Sequence, residues 1–223
     1  MKKVFVLICC LIMVSGCSNK IYNKVVLNVA EVRQNLFTGK TDNIEVSLMS
    51  GMREEDYVVN GYCSTPIEFG VLTFKVNNQV VMPEQVNYVL TVGTARYDGV
   101  LEHNPFDGSY VADLKRIIDS EDVISAKIIA GEFVDSVELI SVTKDFNVDF
   151  NQALKIACSE LDNSLKQFIE NSSFRAECYV KLINDDEILN VYYWYVNFVG
   201  VNGNTVSVII DPITKQIMAK KTV

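Results

Sequence analysis

The hydrophobic rhythm of the chain changes once. From about residue 25 to about residue 142, short runs alternate apolar and polar side chains at the two-residue period of half-buried strands. Ile44, Val46 and Leu48 stand against Glu45 and Ser47, and Phe69, Val71 and Thr73 interleave with Gly70, Leu72 and Phe74. Asn60-Gly61, Asn77-Asn78, Asp98-Gly99 and Asp107-Gly108 punctuate these runs with residue pairs that tolerate positive φ in tight turns. Further strands are predicted over 126–130 and 136–142. A series of about seven or eight strands without a helix predicts a β-sandwich-like domain or a related barrel, because each half-polar sheet must bury its apolar face on another.

At Asp149 the period becomes helical. Phe150, Leu154, Ala157, Leu161, Leu165, Phe168 and Ile169 fall on one stripe, and Asp149 with Gln152 makes a capping box at its start. Asn171-Ser172-Ser173 ends the helix. Strands follow over 174–183, 188–201 and 205–210, the last two joined by Asn202-Gly203-Asn204, and a short fourth is predicted over 216–220 after the Asp211-Pro212 break. The expected fold class is therefore mostly β: a β-sandwich-like domain over 25–145, then a domain over 146–223 in which a helix packs on an antiparallel sheet of three or four strands.

Three features of this C-terminal part resemble the PepSY and cystatin-like domains of exported bacterial proteins. They are the helix from Asp149, the aromatic run Tyr192-Tyr193-Trp194-Tyr195-Val196, and the run from Val206 to Ile210 followed by Asp211-Pro212-Ile213-Thr214-Lys215. The family usually has glycine where Lys215 stands. The resemblance implies an α+β fold and a role in binding or restraining extracellular peptidases, without chemistry of its own.

The amino terminus carries an address. Met1-Lys2-Lys3 precedes an apolar stretch from Val4 to Val14, too short to span a bilayer core, and small residues lead to Cys17. Val14-Ser15-Gly16-Cys17 resembles a lipobox, which implies a signal peptide over 1–16, a diacylglyceryl group on Cys17 and a tether over 17–24. Two acyl chains on one residue would hold the protein stably on the extracytoplasmic face of the cell membrane without crossing it. Loss of Lys2 and Lys3 leaves 18 basic residues against 28 acidic ones. That excess of acid disfavours nucleic acid as a partner.

Few residues invite catalysis. His103 is the single histidine, so zinc sites built on two or more imidazoles are excluded, and its neighbours Asp107 and Ser109 lie in a segment that reads as a turn. Gly39-Lys40-Thr41 resembles the end of a phosphate-binding loop, but Gln34 stands where the first glycine is required. Two acidic clusters, Glu54-Glu55-Asp56 and Asp185-Asp186-Glu187, lack the ligand spacing of a calcium loop and read as solvated turns. Beyond Cys17 the cysteines Cys63, Cys158 and Cys178 allow at most one bridge, and Cys158 and Cys178 read as small apolar packing residues. No cofactor or metal is expected.

The strand over 188–201 is apolar on both parities, whereas that over 174–183 carries Arg175, Glu177 and Lys181 on one of them. One face of the sheet is then left mixed and aromatic, with Tyr179, Tyr193, Tyr195 and Ile209 as a candidate partner face. The leading expectation is a lipid-anchored, non-enzymatic binding module with a protein or peptide partner. An exported hydrolase using a carboxylate pair among Glu54, Asp56, Asp185 and Glu187 is the alternative, and a structural subunit of an envelope assembly is a third.

Overall fold

Strand β1 (Val29–Lys40) organises the molecule because it has three strand neighbours. Along one edge it pairs antiparallel with β2 (Ile44–Glu54) from Glu31 to Lys40. Along the other edge it is shared. Its first residues run parallel to β11 (Ala176–Asn184), with Val29 opposite Cys178 and Val32 opposite Val180. Its later residues Phe37 and Thr38 pair antiparallel with Ser141 and Ile140 of β8 (Phe133–Ser141).

The computed structural model describes residues 19–55, 58–76, 83, 85–119, 123–184 and 191–223. The predicted signal segment, Cys17, the pair Asn77-Asn78, and Asp56, Asp185, Asp186 and Glu187 lie outside the described residues. The expected tether is helical from Asn19 onward, in α1 (Asn19–Val25).

The pairing of β1 with β8 closes a ring. From β1 and β2 it passes through β3 (Pro66–Val76), β6 (Tyr110–Asp113), β5 (Ala95–His103), β4 (Val86–Val92) and β7 (Ile124–Ala130) to β8 and back to β1. This is an eight-stranded antiparallel barrel. Strands β3 to β6 follow a Greek-key order, since the meander of β4, β5 and β6 places β6 beside β3. Ile44, Val46, Leu48, Leu72, Phe74, Leu90 and Ile128 alternate into its interior and are fully buried. Ile118 joins this core, and Ser50 Oγ donates to its carbonyl at 2.9 Å and accepts from its amide at 3.0 Å.

The sheet does not stop at the barrel. Beyond β11 it continues through β12 (Tyr192–Gly200), β13 (Thr205–Ile210) and β14 (Ile217–Thr222), all antiparallel. Their inward side chains, Cys178, Val180, Trp194, Val196, Phe198, Val206 and Val208, form a second core with Ala153, Leu154 and Ala157 of α2 (Phe150–Glu160), Leu165 of α3 (Asp162–Leu165), and Ile21 and Val25 of α1. The capping box at Asp149 is present, with Asp149 Oδ1 accepting from the Gln152 amide at 2.7 Å and Gln152 Oε1 accepting from the Asp149 amide at 3.3 Å. The long helical stripe breaks at Leu161, so α3 and a 3-10 turn over Lys166–Phe168 replace its second half. The short hairpin of β9 (Ile169–Glu170) and β10 (Ser173–Phe174) then leads into β11.

The expected fold class is corrected on both counts. The first eight strands close into a barrel instead of stacking as a sandwich, because β8 returns to the half of β1 that β11 leaves free. Among the described residues no free-standing sheet of three or four strands carries the helix, since β11 to β14 extend the sheet of β1.

A bulge lets one strand serve both cores. The register of β1 against β2 shifts between Arg33 and Asn35, so Gln34 is an extra residue. Val32 lies opposite Met52 and Phe37 opposite Leu48, which places both on one sheet face although five positions separate them in sequence. Val32 enters the helical core and Phe37 the barrel core. Gly51 permits the bulge, because a Cβ there would lie 1.8 Å from the Val32 carbonyl oxygen.

Candidate functional site

Tyr179 on β11, Tyr193 and Tyr195 on β12 and Ile209 on β13 share the face of the extended sheet opposite the helices. Adjacent pairs fix this placement: Tyr195 lies opposite both Lys181 and Ile209, and Tyr193 opposite Ile183. All four candidate residues are half-buried, and neither core includes them. The parity argument explains the strand from which two of them come. Trp194, Val196 and Phe198 point into the core, so the alternate tyrosines must stand on the outer face.

Where this face meets β1, it carries a polar cluster that the sequence did not announce. Glu31 is almost fully buried, with Arg33 Nε 2.6 Å from Oε1 and Lys181 Nζ 2.6 Å from Oε2. Burial works to raise its pKa, but hydrogen bonds from Lys181 and Arg33 outweigh it and hold the carboxyl below its ordinary value. Lys181 Nζ also lies 5.1 Å from the centre of the Tyr179 ring. The Tyr179 hydroxyl donates to Glu177 Oε2 at 2.8 Å. Burial first, and then the Glu177 carboxylate, push that phenol well above its ordinary range.

Glu177 and Glu54 are also buried, and both hold the loop over residues 58–65. Glu177 Oε1 accepts from the amides of Asn60 at 2.7 Å and Gly61 at 3.2 Å, and Glu54 Oε1 accepts from Ser64 at 2.7 Å. Glu54 is thus a loop clamp and not part of a solvated turn. Cys63 belongs to this loop, and its thiol donates to the Val29 carbonyl at 3.1 Å. Burial, then the charges of Glu54 and Glu177, push that thiol up to about 11, which removes it from consideration as a nucleophile near neutral pH. Cys158 and Cys178 are free and fully buried in the helical core.

The remaining candidates disperse. His103 ends β5 opposite Tyr110, with ring centroids 5.0 Å apart. Ser109 Oγ donates to Asp107 at 2.7 Å within one turn, so this serine is not held by the histidine. Gly39, Lys40 and Thr41 form the β1–β2 corner, where Thr41 Oγ1 donates to Asp135 at 2.8 Å and accepts from the Ile44 amide at 3.2 Å. Gly39 is required by the barrel seam, since a Cβ there would lie 2.3 Å from the Glu138 carbonyl oxygen. Among the described residues no cluster of histidine, cysteine, aspartate and glutamate is arranged to hold a metal.

A cleft of about 740 Å³ opens along the edge of β1 that β8 and β11 share, lined by Asn35, Phe37, Asp119, Leu139, Ser141 and Lys144. A recess of about 220 Å³ beside it reaches Trp194 and the α2 cap residue Asp149. The Trp194 indole is already satisfied there, donating to the Val148 carbonyl at 2.7 Å. Comparison with protein-family models, with curated proteins and with solved structures finds no match for the chain.

Proposed function

We propose that this protein is a lipid-anchored cell-envelope protein acting as a non-enzymatic binding module, with Cys17 as the acylated residue and the outer face of the extended sheet as its partner surface. The observation that carries the reading is the row of Tyr179, Tyr193, Tyr195 and Ile209, half-exposed on a rigid sheet and bordered by Lys181. Tyrosines fixed on strands offer large amphipathic contact area at low entropic cost, as binding surfaces require. The buried carboxylates support the same reading, because Glu54 Oε1 and Glu177 Oε1 accept from loop amides and Glu177 Oε2 accepts from the Tyr179 hydroxyl.

The partner is a protein or peptide on the extracytoplasmic side. A photo-crosslinking residue at position 195, with Tyr193→Ala as a competing loss of contact, tests this. A discrete adduct in envelope extracts from position 195, weakened by Tyr193→Ala and absent from the remote exposed position Phe106, is the expected result. Equal adducts from both positions would count against it. Mass spectrometry of the native amino terminus tests the anchor separately, and an intact Met1 or an unacylated Cys17 would remove it.

A further inference from the structure

The anchor residue of this reading lies very close to a helix that is already docked. Cys17 precedes α1 by two residues, and Ile21 and Val25 of α1 are buried in the helical core. From Cys17 to Leu27 the chain spans at most roughly 20 Å, given the rise of extended and helical backbone. An acyl chain on Cys17 therefore leaves the folded body little freedom to stand off a membrane.

The surface within that reach is apolar. Leu27 is 76 % exposed and Val26 42 %, in the turn after α1. Asn28 ties this turn to its surroundings, donating through Nδ2 to the carbonyls of Gly61 at 3.2 Å and Phe174 at 2.6 Å. The loop around Gly61 brings the exposed Val58, Val59 and Tyr62. Gly61 also borders Val201, which is 49 % exposed on the β12–β13 turn: a Cβ at Gly61 would come 2.7 Å from its methyl group. Arg175 lies 3.9 Å over the Tyr62 ring and holds it. Three loops thus converge on one end of the molecule and expose aliphatic side chains with one tyrosine among them.

We infer that this end, formed by Val26, Leu27, Val58, Val59, Tyr62 and Val201, rests on the lipid bilayer and fixes the orientation of the anchored protein. The inference rests on the lipid-anchored reading above. Exposed aliphatic side chains enter the interfacial region of a bilayer, and tyrosine favours that depth because its ring is apolar and its hydroxyl polar. Charge at this end is mixed, with the Arg175 guanidinium over Tyr62 and Glu170 exposed on β9 beside Val201, so the attraction is apolar and persists on zwitterionic lipid.

Added tryptophans at Leu27→Trp, Val201→Trp and Phe106→Trp, each in the full chain, test the inference, with the wild-type chain supplying the emission of the buried Trp194 to be subtracted. The acylated chain is reconstituted on phosphatidylcholine vesicles with brominated acyl chains, which quench only tryptophans that enter the bilayer. A second preparation carries Cys17→Ser and an amino-terminal histidine tag on the same vesicles doped with a chelating lipid, so that docking is read whether or not Cys17 is acylated in the cell. After subtraction of the Trp194 emission, quenching of the added tryptophan by at least about twofold at positions 27 and 201 and none at 106 is expected in both preparations. A vesicle-bound chain with 27 and 201 unquenched, or with 106 quenched equally, overturns the inference. An unacylated native terminus removes the anchor reading and leaves the docking result standing.

Discussion

Glu31 Oε2 lies 2.6 Å from Lys181 Nζ, an ion pair that bridges β1 and β11 where the barrel sheet runs into the extended sheet. The neighbouring Arg33 contact makes Glu31 a buried acid with two cations. Removing one of them leaves a buried charge only half compensated. Lys181→Met is expected to lower stability by about 1–3 kcal/mol, the lower part of the range applying because Lys181 and Arg33 are each partly exposed. Urea unfolding followed by tryptophan emission measures it; Trp194 is the only tryptophan and reports the helical core.

The same carboxylate makes stability depend on acid. Its folded pKa lies below the ordinary 4.5, so the unfolded chain takes up the proton first as pH falls. The contribution is fully present above 4.5 and is lost as pH drops through the lower folded value. Wild type and Glu31→Gln should therefore differ most near neutrality and converge in acid. Unfolding midpoints at a series of pH values check this, and a gap that widens in acid would contradict it.

Gly51 faces the Val32 carbonyl so closely that no side chain fits without moving β1. Gly51→Ala is expected to cost more than about 2 kcal/mol, because the shift would be felt in both cores at once. Gly131, at φ 63° in an open turn where a Cβ meets nothing within 4 Å, is a control for the loss of glycine itself. Gly131→Asn should change the thermal midpoint far less.

Local features were legible in the sequence and closure was not. The strand rhythm of Ile44, Val46 and Leu48 shows through because one face of each strand is buried, and the Asp149 capping box shows because it spans four residues. The bulge at Gln34 and the parallel pairing of Val32 with Val180 join segments far apart in sequence, and no periodicity records them. Asp98-Gly99 read as a turn yet lies inside β5, where Gly99 makes room for the Tyr88 ring, which a Cβ would approach to 3.0 Å. Tyr193, Tyr195 and Ile209 could be placed on one face by parity alone, whereas Glu31, Glu54 and Glu177 carry no mark that distinguishes a buried acid from a surface one.

Lys215 is a non-glycine residue held in a backbone conformation that favours glycine. It stands at φ 66°, in the left-handed region, within a turn closed by the Lys215 amide donating to the Asp211 carbonyl at 3.0 Å. Asp211 Oδ1 also accepts from the amides of Ile213 at 2.7 Å and Thr214 at 3.0 Å, so the turn is held firmly while one residue in it is strained. A glycine there would remove the steric cost at the expense of more freedom in the unfolded chain. Lys215→Gly is expected to be neutral or stabilising by up to about 1 kcal/mol, although glycine elsewhere in a folded segment normally destabilises. Lys215→Ala keeps the strain and loses only the exposed side chain, so it should not reproduce the gain. A Lys215→Gly variant that melts well below wild type would show that the left-handed turn is not the conformation the chain holds.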